Sequence, residues 1–194
     1  MPRVHHVKKA QKDNSVAKKG ESYYWWKFRY GGKQYSKTYP RASQLTQSDK
    51  LSRVYSAQES VEDSGQPPTD ARAYGTPDEL AAALREVYDV WESAIQELNE
   101  VADEYEESAD NKEEYFPGTG DEIREKADAL RSSADEAESR ADEISQAADE
   151  LDGYEDQFKE TDTSSGRVEW NDDWYDEAQM LLDNLPSELE VEVY

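Results

Sequence analysis

Between Tyr23 and Pro40 the chain reads YYWWKFRYGGKQYSKTYP, and within it Trp25, Lys27 and Arg29 alternate along one stretch while Lys33 and Lys37 follow a glycine pair. Ammonium and guanidinium groups hold phosphate oxygens, and an indole offers a π-face to a base or sugar. That combination is chemistry for a nucleic acid. Lys18 and Lys19 supply two further cations just upstream. No comparable set points to a reaction. The absence of cysteine removes disulfides and thiolate metal sites. His5 and His6 are neighbours without further ligands at metal-binding spacing. The many carboxylates are scattered around helical patterns and show no calcium-loop motif. The chain therefore reads as non-enzymatic and without a cofactor.

The charge distribution sharpens this. The net charge of the 194 residues is -24, yet residues 1–58 hold 13 Lys/Arg against 3 Asp/Glu, and residues 59–194 hold 9 against 43. A basic binding element is joined to an acidic one that solvates or engages a partner. Only three lysines (Lys112, Lys126, Lys159) lie in the acidic part, a composition that also suits a salt-rich setting. The longest apolar runs are a few residues, far short of the roughly 20 needed to span a bilayer, and the basic N-terminus lacks an apolar stretch. The expectation is a cytoplasmic protein that does not engage membranes.

Residues 1–20 read as a flexible basic arm. Residues 21–61 read as a small module. A two-residue turn at Gly31-Gly32 would pair Tyr30 with Lys33, Phe28 with Tyr35, Trp26 with Lys37 and Tyr24 with Tyr39 on one face. The other face would carry Tyr23, Trp25, Lys27 and Arg29 opposite Gln34, Ser36 and Thr38. A lone hairpin is marginal in water, so something must cover its aromatic face. The helix after Pro40, capped by Ser43 or Thr46 and carrying Leu51, Val54, Tyr55 and Val61, is the expected cover. A third strand would come from Val4–Val7 or from the alternating Leu189–Tyr194.

The stretch WWKFRYGGKQYSKTYPRASQL resembles the arm-type DNA-binding domains at the N-terminus of tyrosine-recombinase integrases, which have a Trp-rich strand and a second strand of the form G-K-x-x-S-K-T-x-P. The resemblance covers about residues 20–58. It implies a basic three-stranded sheet backed by one helix and set into the DNA major groove. Lys27, Arg29, Lys33 and Lys37, with Gln34, Ser36 and Thr38, would meet phosphates and base edges. Beyond those residues the chain departs from integrases, because nothing downstream supplies the recombinase Arg, His, Arg and Tyr set, and recombination is not implied. The segment also looks like proteins of phages and other mobile elements.

Residues 62–76, rich in Pro, Gly and polar residues, read as a linker. Thr76-Pro77-Asp78-Glu79 is a helix start, with a threonine cap, proline at the first position and Glu for a capping box. Leu80, Leu84, Val87, Trp91, Ala94, Leu98, Val101 and Tyr105 then form an unbroken heptad seam. A second seam runs from Ile123 through Leu130, Ala137 and Ile144 to Leu151. A break at 111–120 predicts an antiparallel acidic hairpin over 77–160, and a register in which paired residue numbers total 228 matches every layer. After a second break at 161–169, residues 171–185 form a short helix with Trp174, Ala178, Leu181 and Leu185 on one stripe, within a C-terminal segment 161–194. Trp170, Trp174 and Tyr175 among aspartates serve either as an interaction motif or as packing near Tyr154 and Phe158.

The fold class is thus α+β: a small N-terminal antiparallel sheet with one helix, a long antiparallel coiled-coil hairpin and a short C-terminal helix. The function that fits is a nucleic-acid-binding accessory protein, DNA before RNA, whose acidic hairpin recruits a protein partner or self-associates. The alternative is an acidic protein that mimics nucleic acid, inhibits a host factor or builds a virion.

Overall fold

A computed structural model describes residues 1–161 and 168–192. In chain order it contains β1 (His5–Val7), β2 (Tyr23–Lys27), β3 (Lys33–Ser36), α1 (Asp49–Ser64), α2 (Pro77–Tyr115), α3 (Asp121–Asp152), α4 (Glu155–Phe158), β4 (Lys159–Thr161), β5 (Val168–Trp170) and α5 (Trp174–Leu182). This is the expected α+β class: a three-stranded antiparallel sheet, then long helices packed on one another, then a short C-terminal helix. The chain divides into two compact units, Met1–Ser56 and Ala57–Tyr194. Their boundary falls inside α1, not in the 62–76 stretch.

In the first unit the strand order is β1-β2-β3, and the third strand is His5–Val7, one of the two candidates. Residues 189–192 form no strand, and Val193 and Tyr194 lie outside the described residues. The expected flexible arm over 1–20 is corrected. Besides β1, the following loop is tied by Ala10 N to Glu21 O at 2.8 Å and Gly20 N to Ala10 O at 2.9 Å. The Asn14 Oδ1 accepts from the backbone of Val16 and Ala17, and Ala10 and Ala17 are buried. Small side chains that pack and Asx side chains that capture backbone N–H groups order a segment whose composition alone reads as solvated.

The β2–β3 register also differs from expectation. The ladder ends at Lys27↔Lys33, so five residues, 28–32, connect the strands. A two-residue turn of the glycine-glycine kind needs positive φ, which neither Gly31 nor Gly32 adopts. Instead the Gln47 amide donates to Tyr30 O at 3.2 Å and holds the wider loop. The slip is three residues, an odd number, so it carries Lys33 and Tyr35 to the face of Trp25. Helix α1 is capped by Ser48, whose Oγ accepts from Leu51 N at 3.4 Å, rather than by Ser43 or Thr46. Ala42–Leu45 form a separate 3-10 turn.

In the second unit the threonine cap of α2 is as read, with Thr76 Oγ1 accepting from Glu79 N at 3.2 Å. The Glu79 carboxylate, however, accepts from Gly75 N at 2.9 Å, one residue before the cap, instead of closing the expected capping box on Thr76 N. Seam residues Leu80, Leu84, Trp91, Leu98 and Val101 are fully buried, as are Ile144 and Leu151 on α3 to within 1%. Cross-helix ion pairs set the register. Arg85 meets Asp149 and Asp152, Arg124 meets Asp110 and Glu113, and Arg131 meets Asp103 and Glu106, so paired numbers total 234 or 237 rather than 228. Helix α2 runs on to Tyr115, which shortens the expected break to five residues and slides the pairing by one heptad. A heptad slip leaves the same seam positions facing one another, which is why the seam was legible and the register was not.

Residues 62–76 are not a free linker. Trp91 Nε1 donates to Gly65 O at 2.8 Å, Ala71 is fully buried, and Gln179 on α5 accepts from Ala71 N at 3.1 Å. The segment lines the second unit because its carbonyls and N–H groups find partners there. Strands β4 and β5 pair antiparallel from Lys159↔Trp170 to Thr161↔Val168, and most of the expected break at 161–169, residues 162–167, lies outside the described residues. On α5 the buried stripe is Trp174, Ala178 and Leu182, not Leu181 and Leu185. The complete burial of Trp174 makes it core.

Candidate nucleic-acid interface

Side chains alternate along β2, so Tyr23, Trp25 and Lys27 share a face with their cross-strand partners. Those partners are Val7 and His5 on β1 and Tyr35 and Lys33 on β3. Trp26 points the other way and is buried to 4% exposure, whereas Trp25 is half-buried. The division into a structural Trp26 and a surface-facing Trp25 follows from this alternation.

Trp25 is held on both sides. The His5 imidazole stacks on the indole at 4.3 Å with the planes 9° apart, and Lys33 Nζ lies 4.3 Å from the ring centroid. Because β1 and β3 flank β2 on opposite sides, the two groups occupy opposite faces of the ring. The indole therefore has no open face on which a base could stack. It acts as a clamp that fixes the Lys33 ammonium over itself, a contact of about 0.5–1 kcal/mol at an exposed site. Tyr23 and Tyr35 lie 6.0 Å apart and extend the aromatic surface along the sheet.

Lys27 and Lys33 stand directly opposite each other at the end of the ladder, and both are exposed. Like charges in that position work against the sheet. No carboxylate pairs with either among the described residues. The arrangement is one that an anion bridging the two ammonium groups would relieve.

The remaining sequence candidates fall elsewhere in the unit. Lys18 and Lys37 line a groove with residues 14–17 and Glu21. Glu21 accepts from Lys18 N at 2.9 Å and lies 3.6 Å from Lys37 Nζ, so the Lys37 charge already has a counter-ion. Lys19 is exposed, with its backbone N–H held by Asp13 at 2.7 Å. Arg29 sits in the β2–β3 connection, 5.4 Å from the ring of Tyr30. Of the seven residues singled out, the fold thus gathers Trp25, Lys27 and Lys33 on one face. It adds His5 and Tyr35, which sequence reasoning assigned to an arm and to the opposite face. Pairing Val4–Val7 against β2 was the signal that would have placed His5 beside Trp25. No group of three or more metal-ligating side chains occurs among the described residues, and no described helix is long and apolar enough to cross a membrane.

The acidic unit treats its cations differently. Asp152 foremost, with Asp149, raises the Arg85 guanidinium above its usual pKa by hydrogen bonding. Asp110 acts likewise on Arg124, and Glu106 with Asp103 on Arg131. Each arginine is thereby spent in closing α2 onto α3. At the hairpin turn, the N–H groups of Gly118 and Gly120 donate to the Glu113 carboxylate at 2.6 and 3.0 Å and hold it below the usual carboxylate range.

Compared with protein-family models, curated proteins and solved structures, the chain matches none.

Proposed function

We propose that this chain is a non-enzymatic nucleic-acid-binding accessory protein, of the kind phages and mobile elements carry. The exposed β2 face binds the target, and the acidic hairpin engages a protein partner. The observation that carries the reading is the opposed pair Lys27 and Lys33 beside the clamped Trp25, within a stretch of strongly positive balance. Two ammonium groups opposed across the end of the β2–β3 ladder suit adjacent phosphates, and counter-ion release supplies sequence-independent affinity. Duplex DNA is favoured over RNA because the B-form major groove admits a β-ribbon, whereas the A-form groove is too deep and narrow. It is favoured over single strands because Trp25 offers no free ring face for base stacking.

The test is titration of the full chain with labelled duplex, single-stranded DNA and duplex RNA across a salt series. Lys27→Ala with Lys33→Ala is expected to weaken duplex binding at least tenfold and to lower the salt slope by about one per lysine. Duplex affinity unchanged in the double variant would overturn the assignment of this face.

A further inference from the structure

The tip of the acidic hairpin displays two large aromatic side chains to solvent, Tyr115 at 73% and Phe116 at 65% exposure. The turn that carries them is built firmly. Phe116 N donates to Lys112 O at 2.8 Å, Thr119 Oγ1 donates to Phe116 O at 2.6 Å, and Glu113 binds the Gly118 and Gly120 N–H groups. Arg124 anchors the base of the turn through Asp110, Glu113 and Asp121. A rigid turn that keeps aromatics out of its own core, with Glu114 and Glu122 exposed beside them, is suited to an apolar groove with a positive rim.

The chain carries such a groove itself. In the basic unit, Phe28, Leu45, Leu51 and Tyr55, with Met1 and Pro2, line an open depression of about 400 Å³. Arg3 follows Pro2 and Arg29 follows Phe28 in sequence. We infer that the Tyr115–Phe116 tip of one copy docks into the Phe28–Leu51–Tyr55 groove of a second copy, giving head-to-tail self-association. Charge complementarity selects this partner: residues 1–58 carry a positive balance, and the residues around the tip a negative one. Contact of unlike patches on identical chains is heterologous and extends by repetition. Two aromatics make a small contact, so the association is weak and is dispersed by salt. This inference deepens the partner-binding half of the proposed function and is independent of the duplex-binding half.

The cysteine-free chain permits a direct test. Full-length Glu114→Cys, beside the tip, is mixed with a mass-tagged Thr46→Cys, at the groove, and oxidised mildly at high protein concentration and low salt. The expected result is a mixed disulfide dimer well above its statistical share, reduced to that share by Phe116→Ser in the first chain or by high salt. A mixed dimer at the statistical share from the outset, or one unaffected by Phe116→Ser, overturns the inference. Circular dichroism checks that each variant is folded, and Tyr115→Ser serves as a second tip variant if Phe116→Ser is not. Duplex titration of Phe116→Ser, expected to match the parent chain, separates failure here from failure of the nucleic-acid reading.

Discussion

The acidic hairpin and the basic sheet handle like charge in opposite ways. In the hairpin, Arg85, Arg124 and Arg131 each bridge two carboxylates of the facing helix, so these cations offset carboxylate repulsion across the seam. In the sheet, Lys27 and Lys33 are set against each other at the end of the β2–β3 ladder; among the described residues no carboxylate pairs with them, and an indole ring lies under Lys33. The first pattern serves folding. The second costs stability locally, and such a cost persists where something outside the chain offsets it, which is why the binding face is assigned here.

The largest way to disturb this contrast is to remove its buried tryptophans. Trp91→Ala deletes a fully buried ring and its hydrogen bond to Gly65, and is expected to cost about 3–5 kcal/mol in urea unfolding followed by circular dichroism. Trp26→Ala should cost a similar ~3–5 kcal/mol in the sheet, whereas Trp25→Ala, half-buried, should cost clearly less and lower duplex affinity instead. Equal losses of stability at 25 and 26 would erase the distinction between the two faces.

Alkaline unfolding isolates the second unit. Burial pushes the Tyr154 hydroxyl up to about 12 from an ordinary 10.0, with Glu150 and Glu177 adding to the effect. The folded state therefore holds this proton more tightly than the unfolded chain. The associated stability is complete below pH 10.0 and is lost as pH rises towards about 12. Tyr154→Phe should lose less stability than the parent between those limits, measured by urea midpoints at pH 9 and pH 11 relative to the same variant.

Lys33→Glu sharpens the comparison within the sheet by converting a like pair into an opposite one. Stability is expected to rise by about 0.2–1 kcal/mol while duplex binding falls at least tenfold. A variant that loses both would mean that Lys33 supports the fold. The smallest effect belongs to the hairpin surface. Arg131→Ala breaks two ion pairs that are 37% exposed on the arginine side, and should cost less than about 1 kcal/mol by thermal melting.

Much of the fold was legible because heptad spacing reports which helix face is buried whatever the register. Leu84, Trp91, Leu98, Leu130 and Ile144 were identified from spacing and are core. What spacing cannot report is how far α2 extends before it turns, and the chain continues it to Tyr115 with Glu113 binding the turn's N–H groups. In the sheet, alternation separated Trp25 from Trp26. The side on which Tyr35 and Lys33 fall depended on the turn, and glycines that permit positive φ need not adopt it. Residues 1–20 and 62–76 have disordered-like composition yet are fixed by Asx bonds, by the Trp91 indole and by Gln179, which are long-range or side-chain contacts invisible to local pattern.

We propose that one face centred on Lys27 and Lys33 binds duplex DNA. Fluorescence anisotropy of the full-length chain with a labelled duplex, over salt from about 25 to 200 mM, addresses it directly. The expected result is binding that weakens steeply with salt, and a Lys27→Glu, Lys33→Glu variant that remains folded and does not bind. Binding that persists in that folded variant, or no binding by the parent chain at the lowest salt, would contradict it.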